Sequence, residues 1–173
     1  MTMTPRLAKL ALVAHVTSSV GWLGSVVAFL ALAIVGLNGQ DAMTVRGAYL
    51  AMDVTAWYVI VPLAFASLLT GLIQSLGTPW GLFRHYWVIA KLGIAVVSTG
   101  LLLLHMQPIG HLAKVVAETT LADGELRGLR VQLVANAAAA VVALVVATAL
   151  SIYKPRGITP YGWRKQQEER EAV

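Results

Sequence analysis

Between His85 and His105 the chain reads HYWVIAKLGIAVVSTGLLLLH, an apolar run with a histidine at each end and one lysine inside. At about 1.5 Å per residue, a helix over this run is roughly 30 Å long, the thickness of a bilayer's hydrocarbon core. It reads as a transmembrane helix. Lys91, Ser98 and His105 are spaced by sevens, and since seven residues make nearly two turns they share one face within about 40°. That polar stripe is expected to be covered by the other helices, which makes this helix the central one.

Three further runs are long enough to span. They cover about 7–37, broken only by Lys9, His15 and small residues, 48–76, with Pro62 inside it, and 129–153, with Ala137 to Ala140 allowing close helix approach. With the run at 85–107 they predict an all-α fold, a four-helix transmembrane bundle over 1–153 followed by a polar tail, 154–173. Pro62 removes a backbone donor and predicts a kink, which a transmembrane helix tolerates when neighbours satisfy the freed carbonyl. The first run is about twice the 7–15 apolar residues of a signal peptide and is therefore expected to be retained. Asn38 to Arg46 and Gly77 to Gly81 are turns, and Arg84, Tyr86 and Trp87 are interface anchors for the third helix. After Pro108 the segment 109–128 suits a short surface helix through Ile109, Leu112, Val115, Val116 and Leu121, with His111 solvated. The tail, KPRGITPYGWRKQQEEREAV, reads as partly disordered.

Composition agrees. The 173 residues are 58% hydrophobic and 12% charged, with a mean hydropathy of +0.73, whereas soluble domains are about 25% charged. No cysteine is present, which excludes disulfides, thiolate metal sites and cysteine nucleophiles. The net charge of +5 lies mostly at helix ends, where lipid headgroups account for it and nucleic acid does not. Arg6, Lys9, Arg84, Lys154, Arg156, Arg164, Lys165 and Arg170 fall on one side, against Arg46, Lys114, Arg127 and Arg130 on the other. That asymmetry predicts both termini in the cytoplasm.

Ionisable residues inside hydrocarbon are costly, about 2.5–3.5 kcal/mol each on insertion scales, and so are functional candidates. They sort by depth. His15 and Lys91 each lie about 9 Å in from the same end of the bundle and can meet. His15, Ser19, Trp22, Val26 and Phe29 share a face of the first helix, Ser18 and Ser25 flank it, and Thr70 and Gln74 complete this inner layer. The outer layer comprises His105, Asp53, Gln132 and Asn136, with Asp53 expected to pair with Arg46, Arg130 or His105. For His15 the choice is between a haem ligand or proton relay and a histidine hydrogen-bonded within a packed bundle. For Lys91 it is between proton transfer or anion binding and snorkelling toward the interface. His85 and His105 sit at the interfaces, as candidate ligands or as hydrated side chains. Trp22 is a candidate cofactor wall or simply packing.

Depth limits any haem site. His105 is about 21 Å along the helix from Lys91, so His15 and His105 cannot share one iron, and His15 with His85 requires an offset of about 9 Å to close. A single haem held by His15 is the simplest arrangement. No phosphate loop, HExxH, CxxC or nucleophile elbow occurs in the chain. Gly93 and Gly100 form a second close-packing face, suited to a neighbouring helix or a homodimer.

The stretches HVTSSVGWLG and TPWGLFRHYWVIAKLGIAVV, a histidine early in the first helix and a lysine one to two turns into the third, resemble a group of small four-helix bacterial membrane proteins. The group includes the CopD copper-resistance domain, the HemJ type of protoporphyrinogen oxidase and an uncharacterised family of about this length. The likeness covers Leu7 to His105 and implies a multi-pass protein of the bacterial inner membrane. From HemJ-like proteins it implies haem or porphyrin chemistry at His15 and Lys91, although the segment 109–128 departs from their pattern. From CopD it implies copper, but Met1, Met3, Met43, Met52 and Met106 are not clustered as a copper pathway needs. The resulting expectation is a b-type haem or porphyrin site for redox or electron transfer, with His15 as the metal ligand and Lys91, Trp22, His85 and His105 as further cofactor-binding candidates. The alternatives are a membrane scaffold or accessory subunit of a transporter or respiratory complex, and a metal or proton carrier.

Overall fold

The computed structural model describes residues 3–78, 81–118 and 125–171. Six α-helices follow in order: α1 Pro5–Asn38, α2 Ala42–Thr55, α3 Val61–Gly77, α4 Tyr86–Glu118, α5 Glu125–Tyr153 and α6 Pro160–Glu171. A single π turn, Ala56–Ile60, joins α2 to α3. The ends follow local chemistry. Pro5 opens α1, where its missing N–H belongs to the first turn and has no helical partner in any case. Asp41 caps α2 by accepting from the Thr44 amide at 2.8 Å and the Thr44 hydroxyl at 2.6 Å.

Among the described residues four stretches are long and apolar enough to cross a membrane: Pro5–Asn38, Ala42–Gly77, Tyr86–Gln107 and Arg127–Tyr153. Their outward faces carry Val13, Val20, Leu69, Ile73, Val97, Leu104, Val142 and Val145, all exposed. A surface so apolar is a lipid-facing belt. The chain is a multi-pass transmembrane four-helix bundle.

The spans pack as a square. α1 lies against α2/α3 and α5, α4 lies against α2/α3 and α5, and α1 and α4 face each other across the diagonal. The core runs through the middle as Trp22, Val26, Phe29 and Ala33 of α1, Tyr49, Met52 and Ala56 beyond them, and Met106, Ile109, Leu133 and Ala137 of α4 and α5. Met52 is 0% exposed. A square has no central helix, so α4 is not the hub that its polar stripe predicts. The α4 residues that reach the core are Val88, Thr99, Met106 and Ile109. At 100° per residue they centre about 60° away from the line through Lys91, Ser98 and His105, which therefore runs along the flank of the packed face.

Three further expectations are corrected. The disturbance predicted at Pro62 is found one turn earlier, as the π turn in which the Val61 amide reaches back to the Ala56 carbonyl. Widening the helix there accommodates a ring that would crowd the preceding turn. Second, α4 runs on through Pro108 to Glu118, so a separate surface helix does not start at Ile109. Residues 119–124, and the side chains of His111 and Lys114, lie outside the described residues, as does the Pro79-Trp80 part of the preceding turn.

Third, the tail is ordered and clasped to the start of α4. The Tyr86 amide donates to Gly157 O at 3.3 Å, and the Thr159 amide to Arg84 O at 3.0 Å. The Thr159 hydroxyl donates to Phe83 O at 2.5 Å and accepts from the Gly162 amide at 3.0 Å, capping α6. Gly162 is obligatory, because a Cβ there would lie 2.5 Å from Arg84 O. Arg84 and Glu169 close the clasp with an ion pair. The signal was present in the sequence: Thr159 followed by Pro160 is a helix start.

Two outcomes follow. A Cβ at Gly36 would fall 2.6 Å from the ring of Tyr49, which is 2% exposed and cannot move aside. Gly36→Ala should therefore destabilise the bundle by about 1–3 kcal/mol in detergent unfolding, while Gly24→Ala, which meets nothing within 4 Å, should not. The Arg84 guanidinium holds the Glu169 carboxyl below its ordinary range through their hydrogen bond. A carboxylate with a depressed folded value contributes stability above its unfolded pKa and loses it as pH falls through the folded one. A spin label on Gln167→Cys should thus gain mobility on acidification below the ordinary glutamate range, and Glu169→Gln should show the mobile spectrum at every pH.

Candidate functional site

The polar residues inside the bundle form two layers at opposite ends. In the inner layer α1 meets α3. The His15 ring lies against Gly71, where a Cβ would stand 3.0 Å from Cε1, so a glycine is what lets the imidazole approach the α3 backbone. His15 Nδ1 is 3.1 Å from Ser67 O and 3.2 Å from Thr70 Oγ1. A carbonyl only accepts, so Nδ1 carries the proton and Nε2 is left with its lone pair. Among the described residues nothing hydrogen-bonds Nε2. Around the ring, Ser18 Oγ donates to Ala14 O at 2.8 Å and stands 3.5 Å from Thr70 Oγ1, while Ser19 and Ser67 share a hydrogen bond of 2.8 Å.

Thr70 joins this layer as predicted. Gln74 makes no hydrogen bond to it among the described residues. Ser67 and Gly71 were missed, yet Ser67, Thr70, Gly71 and Gln74 stand at i, i+3, i+4 and i+7, the spacing of one helix face. Trp22 is 3% exposed and belongs to the hydrophobic core two turns along from His15.

Lys91 faces the same region from across the bundle and is within electrostatic reach of His15. Its ammonium lies 5.6 Å from the centre of the Trp87 ring. Trp87 is one turn nearer the end of the bundle, so the side chain leans toward the interface over an aromatic face. His85 lies outside this layer. Its backbone pairs with Ile158, its ring is 6.2 Å from that of Trp87, and it lines a cleft against the tail.

In the outer layer His105 Nδ1 is 2.7 Å from Leu101 O, and Asn136 Nδ2 is 2.5 Å from His105 Nε2. The carbonyl fixes the tautomer, so Nε2 accepts from the amide, and both ring nitrogens are engaged. Gln132 is exposed. It sits about 40° further round α5 than Asn136, away from the packed face. The ion pair expected for Asp53 is not formed among the described residues. Among the described residues Asp53 Oδ1, Tyr49 Oη and Arg130 Nε are each buried without a hydrogen-bond partner, and Arg130 lies 5.6 Å above the Tyr49 ring instead. The inner layer is hydrogen-bonded up to one nitrogen, whereas the outer layer leaves three polar atoms of α2 and α5 unmatched.

Among the described residues no three His, Asp or Glu side chains converge as a metal site, so a bare ion would find one imidazole. An iron carried by a porphyrin needs only one or two protein ligands, and His15 fits as one of them. An imidazole that donates from Nδ1 to a backbone carbonyl is held in the orientation and tautomer of a metal ligand. Set against known proteins, the chain matches no family model, no curated protein and no solved structure.

Asn136 supplies the interhelical hydrogen bond that satisfies His105. Asn136→Ala should cost about 0.6–1.7 kcal/mol, the range for such bonds inside membranes, read as a lower midpoint on unfolding in mixed detergent micelles, with His15 and its neighbours unaffected.

Proposed function

We propose that this membrane protein binds b-type haem or a related porphyrin at its inner polar layer and serves in redox or electron transfer. One observation carries the reading: the His15 ring is anchored through Nδ1 on Ser67 O, with Thr70 beside it, and presents an Nε2 that no described residue hydrogen-bonds. His15 would hold the iron through Nε2. Ser67 and Thr70 orient it, and Lys91, the cation of that layer, is matched to a porphyrin carboxylate. When bound, haem supplies one-electron exchange, with a potential set by the ligand and its surroundings.

Neither His105 nor His85 competes for the role. His105 is engaged at both nitrogens at the far end of the bundle, and His85 belongs to the cleft beside the tail. The resemblance of HVTSSVGWLG and of the run through Lys91 to HemJ-like proteins points the same way, and with it to the inner membrane of a bacterium with both termini in the cytoplasm.

A second reading rests on Gly93 and Gly100, where an added Cβ would meet no neighbour among the described residues within 4 Å. A helix of another copy or of a partner subunit can approach there, and the protein is then an accessory subunit whose polar layer is structural.

Purification in mild detergent after expression with ample haem decides between them. The first reading expects a Soret band that sharpens on reduction with dithionite, and His15→Ala should lower the bound haem at least tenfold with the helical circular dichroism intact. Lys91→Met should weaken retention without abolishing the spectrum. A featureless spectrum from the unaltered protein overturns the haem reading, and loss of folding in His15→Ala with no chromophore in the parent supports the accessory subunit.

A further inference from the structure

Where the tail clasps the start of α4, it encloses a cleft of about 610 Å³ lined by His85, Trp87, Lys154, Arg156, Ile158 and Trp163 among others. Among the described residues no carboxylate lines it. The cations are Lys154 and Arg156, His85 adds an imidazole, and Lys91 stands just beneath, over the face of Trp87 and within electrostatic reach of Lys154.

Its height in the membrane is set by the spans. Trp87 is the second residue of the span beginning at Tyr86, and Lys154 directly follows the span ending at Tyr153. The cleft therefore lies at headgroup level, where tryptophan and tyrosine collect and where basic residues meet lipid phosphate. Lys154 also holds a left-handed backbone, φ 42°, which is uncommon for a residue with a side chain and is found where surrounding structure enforces it. Here the enforcement is visible. The Lys154 amide still closes on Leu150 O at 3.2 Å, and beyond Arg156 the bonds of Tyr86 with Gly157 and of Arg84 with Thr159 hold the chain, so the backbone carrying the two cations is anchored at both ends.

The geometry points to a discrete site for the phosphate headgroup of one anionic phospholipid, with Lys154 and Arg156 on the phosphate, His85 at its edge and the indoles of Trp87 and Trp163 against the glycerol and upper acyl region. A volume of this size falls within the roughly 300–1,000 Å³ of small-molecule sites, and the side with the larger count of basic residues is the one that faces anionic lipid in the cytoplasmic leaflet. The site is separate from His15, and its test does not depend on a bound porphyrin.

Native mass spectrometry of the full chain in mild detergent, titrated with phosphatidylglycerol or phosphatidylcholine, tests it. One phosphatidylglycerol should be retained per chain, at least tenfold more tightly than phosphatidylcholine. The double variant Lys154→Asn, Arg156→Gln should lose that preference. Asparagine tolerates the left-handed backbone, so charge is removed without added strain. The control Arg6→Gln, Arg164→Gln removes the same charge from the same side and should retain the lipid. Equal loss in the control, or several lipids bound without saturation, would mean diffuse attraction and overturn the site. Glycerol phosphate or inorganic phosphate that binds as tightly as the lipid and displaces it would overturn the lipid assignment in favour of a soluble ligand. If the double variant does not fold, brominated phosphatidylglycerol should quench the native protein more than brominated phosphatidylcholine, and the excess should fall in Trp163→Phe and disappear when Trp87→Phe is added. No excess would refute the proposal.

Discussion

Hydrocarbon offers no hydrogen bonds, so every backbone amide and carbonyl within the membrane must be matched by the chain itself. Much of this structure follows from that constraint. The spans are helices because only a helix satisfies the backbone within one segment, and the two prolines in the long helices are accommodated without abandoning the ladder. Next to Pro62 the ladder is re-registered through a π turn. At Pro108 the helix continues. The same constraint disciplines the side chains: Ser18, Ser25, Thr70, Ser75, Thr99, Thr148 and Ser151 all return their hydroxyls to carbonyls three or four residues back in their own helix. Hydroxyls used in this way cost the membrane little and signify little. What stands out is the polar group whose partner comes from another helix.

By that measure the two layers differ. Around His15 the contacts between α1 and α3 assemble a histidine whose second nitrogen is available. Around His105 a single amide closes the ring's requirements, while Tyr49, Asp53 and Arg130 nearby bury atoms that no group among the described residues satisfies. Buried unmatched polar atoms cost about 1–3 kcal/mol each, and Tyr49 is nonetheless among the most enclosed side chains. Its position follows from shape: Gly36 leaves a recess that the ring fills, and packing outweighs the unmatched hydroxyl.

The spans were legible in the sequence because span length and apolarity are local properties. The four runs read from composition match the observed helices to within a turn or so at most ends. Packing was less legible. Lys91, Ser98 and His105 share a face by simple geometry, but which face of α4 turns inward depends on the neighbours, and Val88, Thr99 and Met106 fill the core while the polar line lies beside it. The inner layer was half readable: His15 and Thr70 were identified from depth, and Ser67 and Gly71 were hidden because serine and glycine are common in membrane helices for packing alone. The tail was misread for a different reason. Its charge and low apolarity describe α6 taken alone, whereas its order comes from hydrogen bonds that the Thr159 hydroxyl donates to carbonyls some 75 positions earlier, which no local pattern reveals.

That clasp also orders the chain's assembly in time. Phe83 and Arg84 are synthesised long before Thr159 and Glu169, so the clasp cannot close until the fourth span is in place and residues 159–169 have followed it. Once closed, it ties the entry of the third span to the exit of the fourth, turning two helices joined at the far side into a loop fastened at both ends. The bundle is thus latched by the segment that follows its fourth span.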